Sequence, residues 1–156
     1  MENYKITRST AKTLNEWIAL YERKTGNKVE FLKGFTLLYL PERGFSLMKE
    51  DTEWHILMIY IVCGDAKFWH DVGEVIAKSK CCRCISTICS REIEAYIRFW
   101  HWRIIDKQDI NNQKRYICID TQNRTVVITN NGVNEETNTP TYWVTQYISG
   151  ERPVIK

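Results

Sequence analysis

Cys81-Cys82-Arg83-Cys84, with Cys89 close behind, gathers thiols densely enough to raise a zinc reading. Four thiolates would suit the metal. Zinc pairs, however, sit on tight turns and need a second pair at matching spacing. Here Cys82 and Cys84 run into an apolar stretch that reads as a strand. Small thiols packed in a reduced core account for them better, with Cys89 at the strand end the most exposed, and no metal is expected. The other unusual chemistry is Trp100-His101-Trp102-Arg103, together with Trp69-His70. Aromatic rings beside basic groups can stack nucleic-acid bases, but they also fill cores and interfaces. Trp69 and Trp100 fall on helical apolar stripes, which assigns both to the core. Trp102 falls off its stripe and reads as an interface residue, with Arg98 and Arg103 its neighbours. Arg91, Arg98 and Arg103 otherwise form the ordinary solvated face of a helix. No P-loop, HExxH, Ser-His-Asp spacing or dinucleotide fingerprint occurs, so hydrolase and NTPase readings have no support.

Length and composition bound the answer. The 156 residues suit a single domain, 1–156, with 44% hydrophobic residues opposing disorder. A formal charge of +3 is too small to imply a nucleic-acid partner, though it permits an anionic cofactor. The first residues carry no signal-peptide core, and the longest apolar run falls short of the roughly 20 residues a membrane helix needs. The expectation is a soluble protein inside the cell, with its six cysteines reduced.

The elements that must position these residues centre on 54–102. Trp54 to Val62 is a near-continuous apolar run, as in a strand covered on both faces. It breaks at Cys63-Gly64-Asp65-Ala66. Phe68, Trp69, Val72, Val75 and Ile76 then recur at the spacing of one helix face. A helix over 66–79 would thus cross to a parallel strand, Cys82 to Ile88. Ser90 reads as the cap of a further helix, with Glu92 in its first turn and Ile93, Tyr96, Ile97 and Trp100 as its stripe. Upstream, Ser9 or Thr10 caps a first helix buried through Leu14, Trp17, Ile18 and Tyr21, and Gly26 ends it. Residues 28–40 and 45–48 suggest an antiparallel pair about the turn Pro41 to Gly44. Downstream, a strand starts at 103–106, 109–113 reads as a polar loop, and 116–120 and 125–129 pair through a hairpin at 121–124. Asn130-Asn131-Gly132 is a turn signal, 133–140 a polar loop, 141–148 a last strand, and 149–156 a mobile tail.

This order resembles the GNAT (GCN5-related N-acetyltransferase) fold over roughly residues 10 to 130, and most closely the short divergent GNAT-like proteins of bacteriophages. A C-terminal strand and tail, 131–156, lie beyond it. The resemblance implies an α/β (α+β) architecture: a mixed, mostly antiparallel sheet of about six or seven strands with a central parallel pair and flanking helices. The family's pyrophosphate loop, Gln/Arg-x-x-Gly-x-Gly/Ala, falls on Ile61-Val62-Cys63-Gly64-Asp65-Ala66. By resemblance, Gly64, Asp65, Ala66 and Lys67 would form the acetyl-CoA-binding turn, since small residues let backbone N–H groups approach phosphates at a helix start. Ile61 and Asp65 depart from the pattern. A carboxylate at Asp65 would itself satisfy the free N–H groups and repel a diphosphate, which Lys67 offsets only in part. The alternative for this turn is a plain strand-to-helix junction with an acidic cap. Ala95 matches the family's helix motif, but Phe99 stands where a tyrosine acid is expected, and Tyr96 faces elsewhere. Glu53 and His55, at the start of the central strand, are the candidates for a general base; both also fit an ordinary strand end.

Two functions stay open. One is an acetyl-CoA-dependent N-acyltransferase acting on an unidentified amine. The other is a degenerate scaffold that works through surface contacts, as a virion component or an inhibitor of a host protein. It would act in the host cytoplasm or the virion, with Arg98, Trp102 and Arg103 as its interface. Ile61, Asp65 and Phe99 favour the second.

Overall fold

Residues 6–135 and 138–151 are described by a computed structural model. The order is α1 (Leu14–Thr25), β1 (Thr36–Leu40), β2 (Gly44–Asp51), β3 (Ile56–Gly64), α2 (Ala66–Ser79), β4 (Cys84–Cys89), α3 (Ile93–Phe99), β5 (Arg103–Ile110), β6 (Gln113–Ile119), β7 (Thr125–Asn134) and β8 (Thr139–Tyr147). The strands form one eight-stranded sheet in the order β1-β2-β3-β4-β8-β7-β6-β5. All neighbours are antiparallel except β3 and β4, whose parallel pairing requires the α2 crossover.

The sheet has eight strands where six or seven were expected, and polar residues lengthen several of them. The stretch 109–113 is no loop. β5 and β6 pair down to Ile110↔Gln113, closed by Asn111 and Asn112 at φ 52° and 63°. Two consecutive left-handed residues are what a tight hairpin needs, and Asn tolerates that conformation. Asn130-Asn131-Gly132 is likewise not a turn between elements. β7 passes through it with a register shift between Asn130 and Val133 and pairs on to Asn134↔Thr139. Of the tail 149–156, residues 152–156 lie outside the described residues. β8, beyond the span of the resemblance, sits mid-sheet between β4 and β7.

The helix caps also moved. Thr13, rather than Ser9 or Thr10, caps α1, its Oγ1 accepting from Glu16 N at 3.2 Å. Glu92, rather than Ser90, caps α3: its carboxylate accepts from Glu94 N and Ala95 N at 2.9 and 2.7 Å. A glutamate reaches the free amides from the cap position itself, which leaves Ser90 two residues too early. Gly26 ends α1 in the left-handed conformation, as its type requires. Trp54 and His55 belong to the β2–β3 turn and not to the strand.

The core covers both faces of the sheet. Trp17 and Leu20 of α1 pack on Phe45, Leu47, Ile61 and Cys63. Ala77 of α2 packs with Met48, Leu57, Ile59 and Ile85. Consecutive strand residues point to opposite faces. Leu47 and Met48 are consecutive, so α1 and α2 lie on opposite sides. Ile93 and Ile97 of α3 close over Tyr116, Cys118, Val126 and Ile128.

Candidate functional site

Tyr60 is an extra residue in β3. Its neighbours pair as Ile59↔Met48 and Ile61↔Leu47, leaving Tyr60 without a partner on β2. The bulge turns the strand over, which is why Ile59 packs under α2 and Ile61 under α1. At the same place the parallel ladder stops. β3 and β4 pair only over Ile56–Ile59 and Cys84–Thr87, although β3 runs to Gly64 and β4 to Cys89. The two strands therefore part in mid-sheet, and a cleft of about 290 Å³ opens between them. Leu20, Tyr21 and Lys24 of α1 bound one side; Ala66 and His70 of α2 bound the other.

Aromatic rings from α3 close the far wall. The helix ends at Trp100, and His101 takes φ 59°. His101 N donates to Arg98 O and Trp102 N to Ile97 O, the pair of bonds that folds a chain back under a helix end. Trp102 is thereby brought into the wall, stacked on Trp100 (6.1 Å, 17°) and edge-on to Tyr96 (5.8 Å). It is half-buried in this wall. Arg98 and Arg103 are exposed, and Arg98 reaches Glu92 at 4.0 Å. Tyr96, expected to face elsewhere, lines the cleft together with Phe99. Burial pushes the Tyr96 phenol above its ordinary range.

Gly64 and Ala66 of the turn line the cleft, and the helix start behind them is already capped. Asp65 caps α2, Oδ1 accepting from Phe68 N at 3.1 Å. Its other oxygen meets Arg43 Nη1 at 2.5 Å, and the Arg43 guanidinium lies 4.8 Å from the centre of the Phe68 ring. The Phe68 N–H, assisted by Arg43, holds the Asp65 carboxyl below its usual range. Arg43 O accepts from both Asp65 N (2.9 Å) and Trp69 Nε1 (2.8 Å). Gly64, at φ +106°, comes so close that a Cβ would stand 2.2 Å from that oxygen. Its being glycine is thus explained by the crossing of β2 and β3, without any phosphate. Lys67 is exposed on the first turn.

Glu53 and His55 do not join the cleft. Both are exposed in the β2–β3 turn, where Asp51 Oδ1 accepts from Glu53 N and Trp54 N. Gly64 is at the far end of β3, whose nine residues span about 25 Å at the usual strand rise. The thiols are not poised nucleophiles either. Cys63 and Cys89 line the cleft, but burial raises both, Cys63 to about 11. Cys89 is buried and Cys81 exposed, the reverse of the expected order; all six are free. No group of three or more metal-binding side chains occurs among the described residues.

One polar network escaped the sequence reading. Arg124 lies between two carboxylates, Nη2 to Glu74 Oε1 at 2.5 Å and Nε to Asp120 Oδ2 at 2.8 Å. Gln146 Nε2 donates to the same Asp120 oxygen at 2.7 Å. That fixes the amide, so Oε1 faces His70 Nε2 at 2.7 Å and the imidazole must donate from Nε2. Burial opposes the charges of Asp120 and Glu74, yet Arg124 and the surrounding donors outweigh it and hold both carboxyls below their usual range. The network ends at the cleft in His70, whose ring lies 4.9 Å from that of Trp100. Its only sequence trace is spacing: His70 and Glu74 one helical turn apart, and Asp120 and Arg124 across a tight turn.

Fold and site together define a mixed α/β protein with a split parallel pair and an aromatic cleft. Compared with known proteins, the chain matches no family model, no curated protein and no solved structure. No helix among the described residues is long and apolar enough to cross a membrane.

Proposed function

We propose that the chain is a GNAT-like scaffold with a degenerate acyl-CoA site, acting by contact with a protein partner and not by acyl transfer. The observation that carries this reading is the closed start of α2. Asp65 already occupies the place where a diphosphate would accept N–H groups, and it is paired to Arg43. Phe99 supports it, since it lies at the cleft with no proton to donate, and so do the exposed Glu53 and His55, far from the cleft. The virion or host-protein setting rests on the resemblance alone, with Arg98 and Arg103 its exposed basic positions. A thermal-shift titration with acetyl-CoA tests it: no rise in melting temperature is expected, and a saturable rise would overturn it.

A specific observation favours the second reading, an acetyl-CoA-dependent N-acyltransferase. The parting of β3 and β4 leaves a slot into which an extended acyl-pantetheine arm could pair with strand backbone. Tyr96, whose phenol keeps its proton, would be the donor to a leaving thiolate. Release of free thiol from acetyl-CoA with simple amines as acceptors would support this reading against the first.

A further inference from the structure

The charged side chains that line the cleft are of one sign, although Asp71 and Glu74 stand behind the His70 wall, each 3.9 Å from its Nδ1. No carboxylate lines it among the described residues, whereas Arg8, Lys24 and Arg91 do. The charges of Arg8 and Lys24 act on Cys63, and the Arg91 carbonyl accepts from Cys89 Sγ at 3.8 Å. Among the described residues none of the three is in an ion pair, while Arg43, Lys78, Lys80, Arg83, Arg98, Lys107 and Arg124 each have a carboxylate partner. Low-dielectric walls focus such a field on the opening. The walls are aromatic, and two of the rings are not used up by packing: Tyr60 and Phe99 are 40% and 50% exposed at the cleft. His70 and Gln146 place a fixed polar pair on one wall.

We propose that the cleft binds a small, flat aromatic anion, a polycyclic carboxylate or sulfonate, sandwiched by the rings and drawn by the basic rim. The cleft volume of about 290 Å³ lies at the lower end of small-molecule pockets, enough for a few fused or linked rings. Stacking against Tyr60, Phe99 and Trp100 holds the body, and Arg8, Lys24 and Arg91 hold the charge. This site rests on the rings and the basic rim, and it occupies the slot that the second reading gives to the acyl-pantetheine arm, so the two ligands would exclude one another.

The test uses a matched pair of fluorescent probes on the full chain: anilinonaphthalene sulfonate and its uncharged parent, N-phenylnaphthylamine. The expected result is one saturable sulfonate site per chain, with quenching of tryptophan emission and affinity falling as salt rises. Lys24→Glu and Arg91→Glu change exposed side chains and leave the fold intact, which melting curves verify. Each should weaken the sulfonate by roughly fivefold or more, the scale of one unit charge a few ångström away in water. Each should leave the uncharged parent unchanged. Absence of saturable sulfonate binding, or equal affinity in the wild type and both charge reversals, would overturn the proposal.

Discussion

Replacing Arg124 with Met keeps an unbranched apolar stem and removes the guanidinium with its charge. Two carboxylates are then left facing the emptied position, Asp120 with a side chain 3% exposed and Glu74 with one 12% exposed. Breaking a buried pair by removing one partner costs about 3–5 kcal/mol. The structure places this case at the lower end. Asp120 keeps three donors, Gln122 N, Arg124 N and Gln146 Nε2, at 2.9, 2.8 and 2.7 Å. Glu74 keeps Lys78 at 3.7 Å and His70 Nδ1 at 3.9 Å. A loss of about 3 kcal/mol at about pH 7 is therefore expected, a large part of a typical domain's stability. The pH dependence separates an electrostatic cause from lost packing. In the wild type both carboxyls sit below their unfolded values, so their contribution is complete above about pH 5 and is lost as pH falls through the depressed folded values. In Arg124→Met, Glu74 loses its main counterweight to burial and rises, while Asp120 keeps its other donors, so protonation of Glu74 near pH 5 relieves the variant but leaves the wild type unchanged. Urea denaturation of both proteins at about pH 7 and about pH 5 should show the gap shrinking. A gap below about 1 kcal/mol, or one equal at both pH values, would refute the account of this network.

Two further outcomes follow from close packing and burial. Gly64→Ala places a methyl 2.2 Å from Arg43 O at φ +106°, so chemical denaturation should show a loss of at least about 2 kcal/mol; an unchanged midpoint would refute the close crossing of β2 and β3. A thiol reagent should modify Cys81 rapidly in the native protein and the remaining cysteines only on unfolding, because they are buried and Cys63, Cys84 and Cys118 are raised to about 11; rapid modification of more than one thiol would contradict this.

The central unit was legible because local signals there agree with the long-range ones. The run into Val62, the small residues of the turn and the stripe Phe68 to Ile76 all predict strand, turn and helix, and α2 occupies Ala66–Ser79 with Asp65 as its cap. The parallel pairing followed, since the crossover allows little else. What stayed hidden depends on partners distant in sequence. The bulge at Tyr60 exists only relative to β2, and nothing in Ile59-Tyr60-Ile61 announces it. Asn111-Asn112 and Asn130-Asn131-Gly132 carry the same residue types, yet one closes a hairpin and the other is absorbed into a strand. Glu92 outcompeted Ser90 as a cap by the length of its side chain. The cleft site was half visible: the turn at 64–67 and the rings of α3 could be named, whereas Gln146, Asp120 and Arg124 meet His70 and Glu74 only after β8 enters the sheet centre.

Calorimetric titration of acetyl-CoA into the wild type and into Asp65→Gly tests the central claim most directly. Asp65 charge near the start of α2 opposes a diphosphate by roughly 0.3–1 kcal/mol, and its cap closes Phe68 N. Removing it frees that amide and Arg43 together, at a stability cost of about 1 kcal/mol or less. The account predicts no measurable heat for the wild type up to about 1 mM acetyl-CoA, and weak binding once Asp65 is gone. A wild-type dissociation constant in the micromolar range would contradict it and point to an acyl-CoA enzyme.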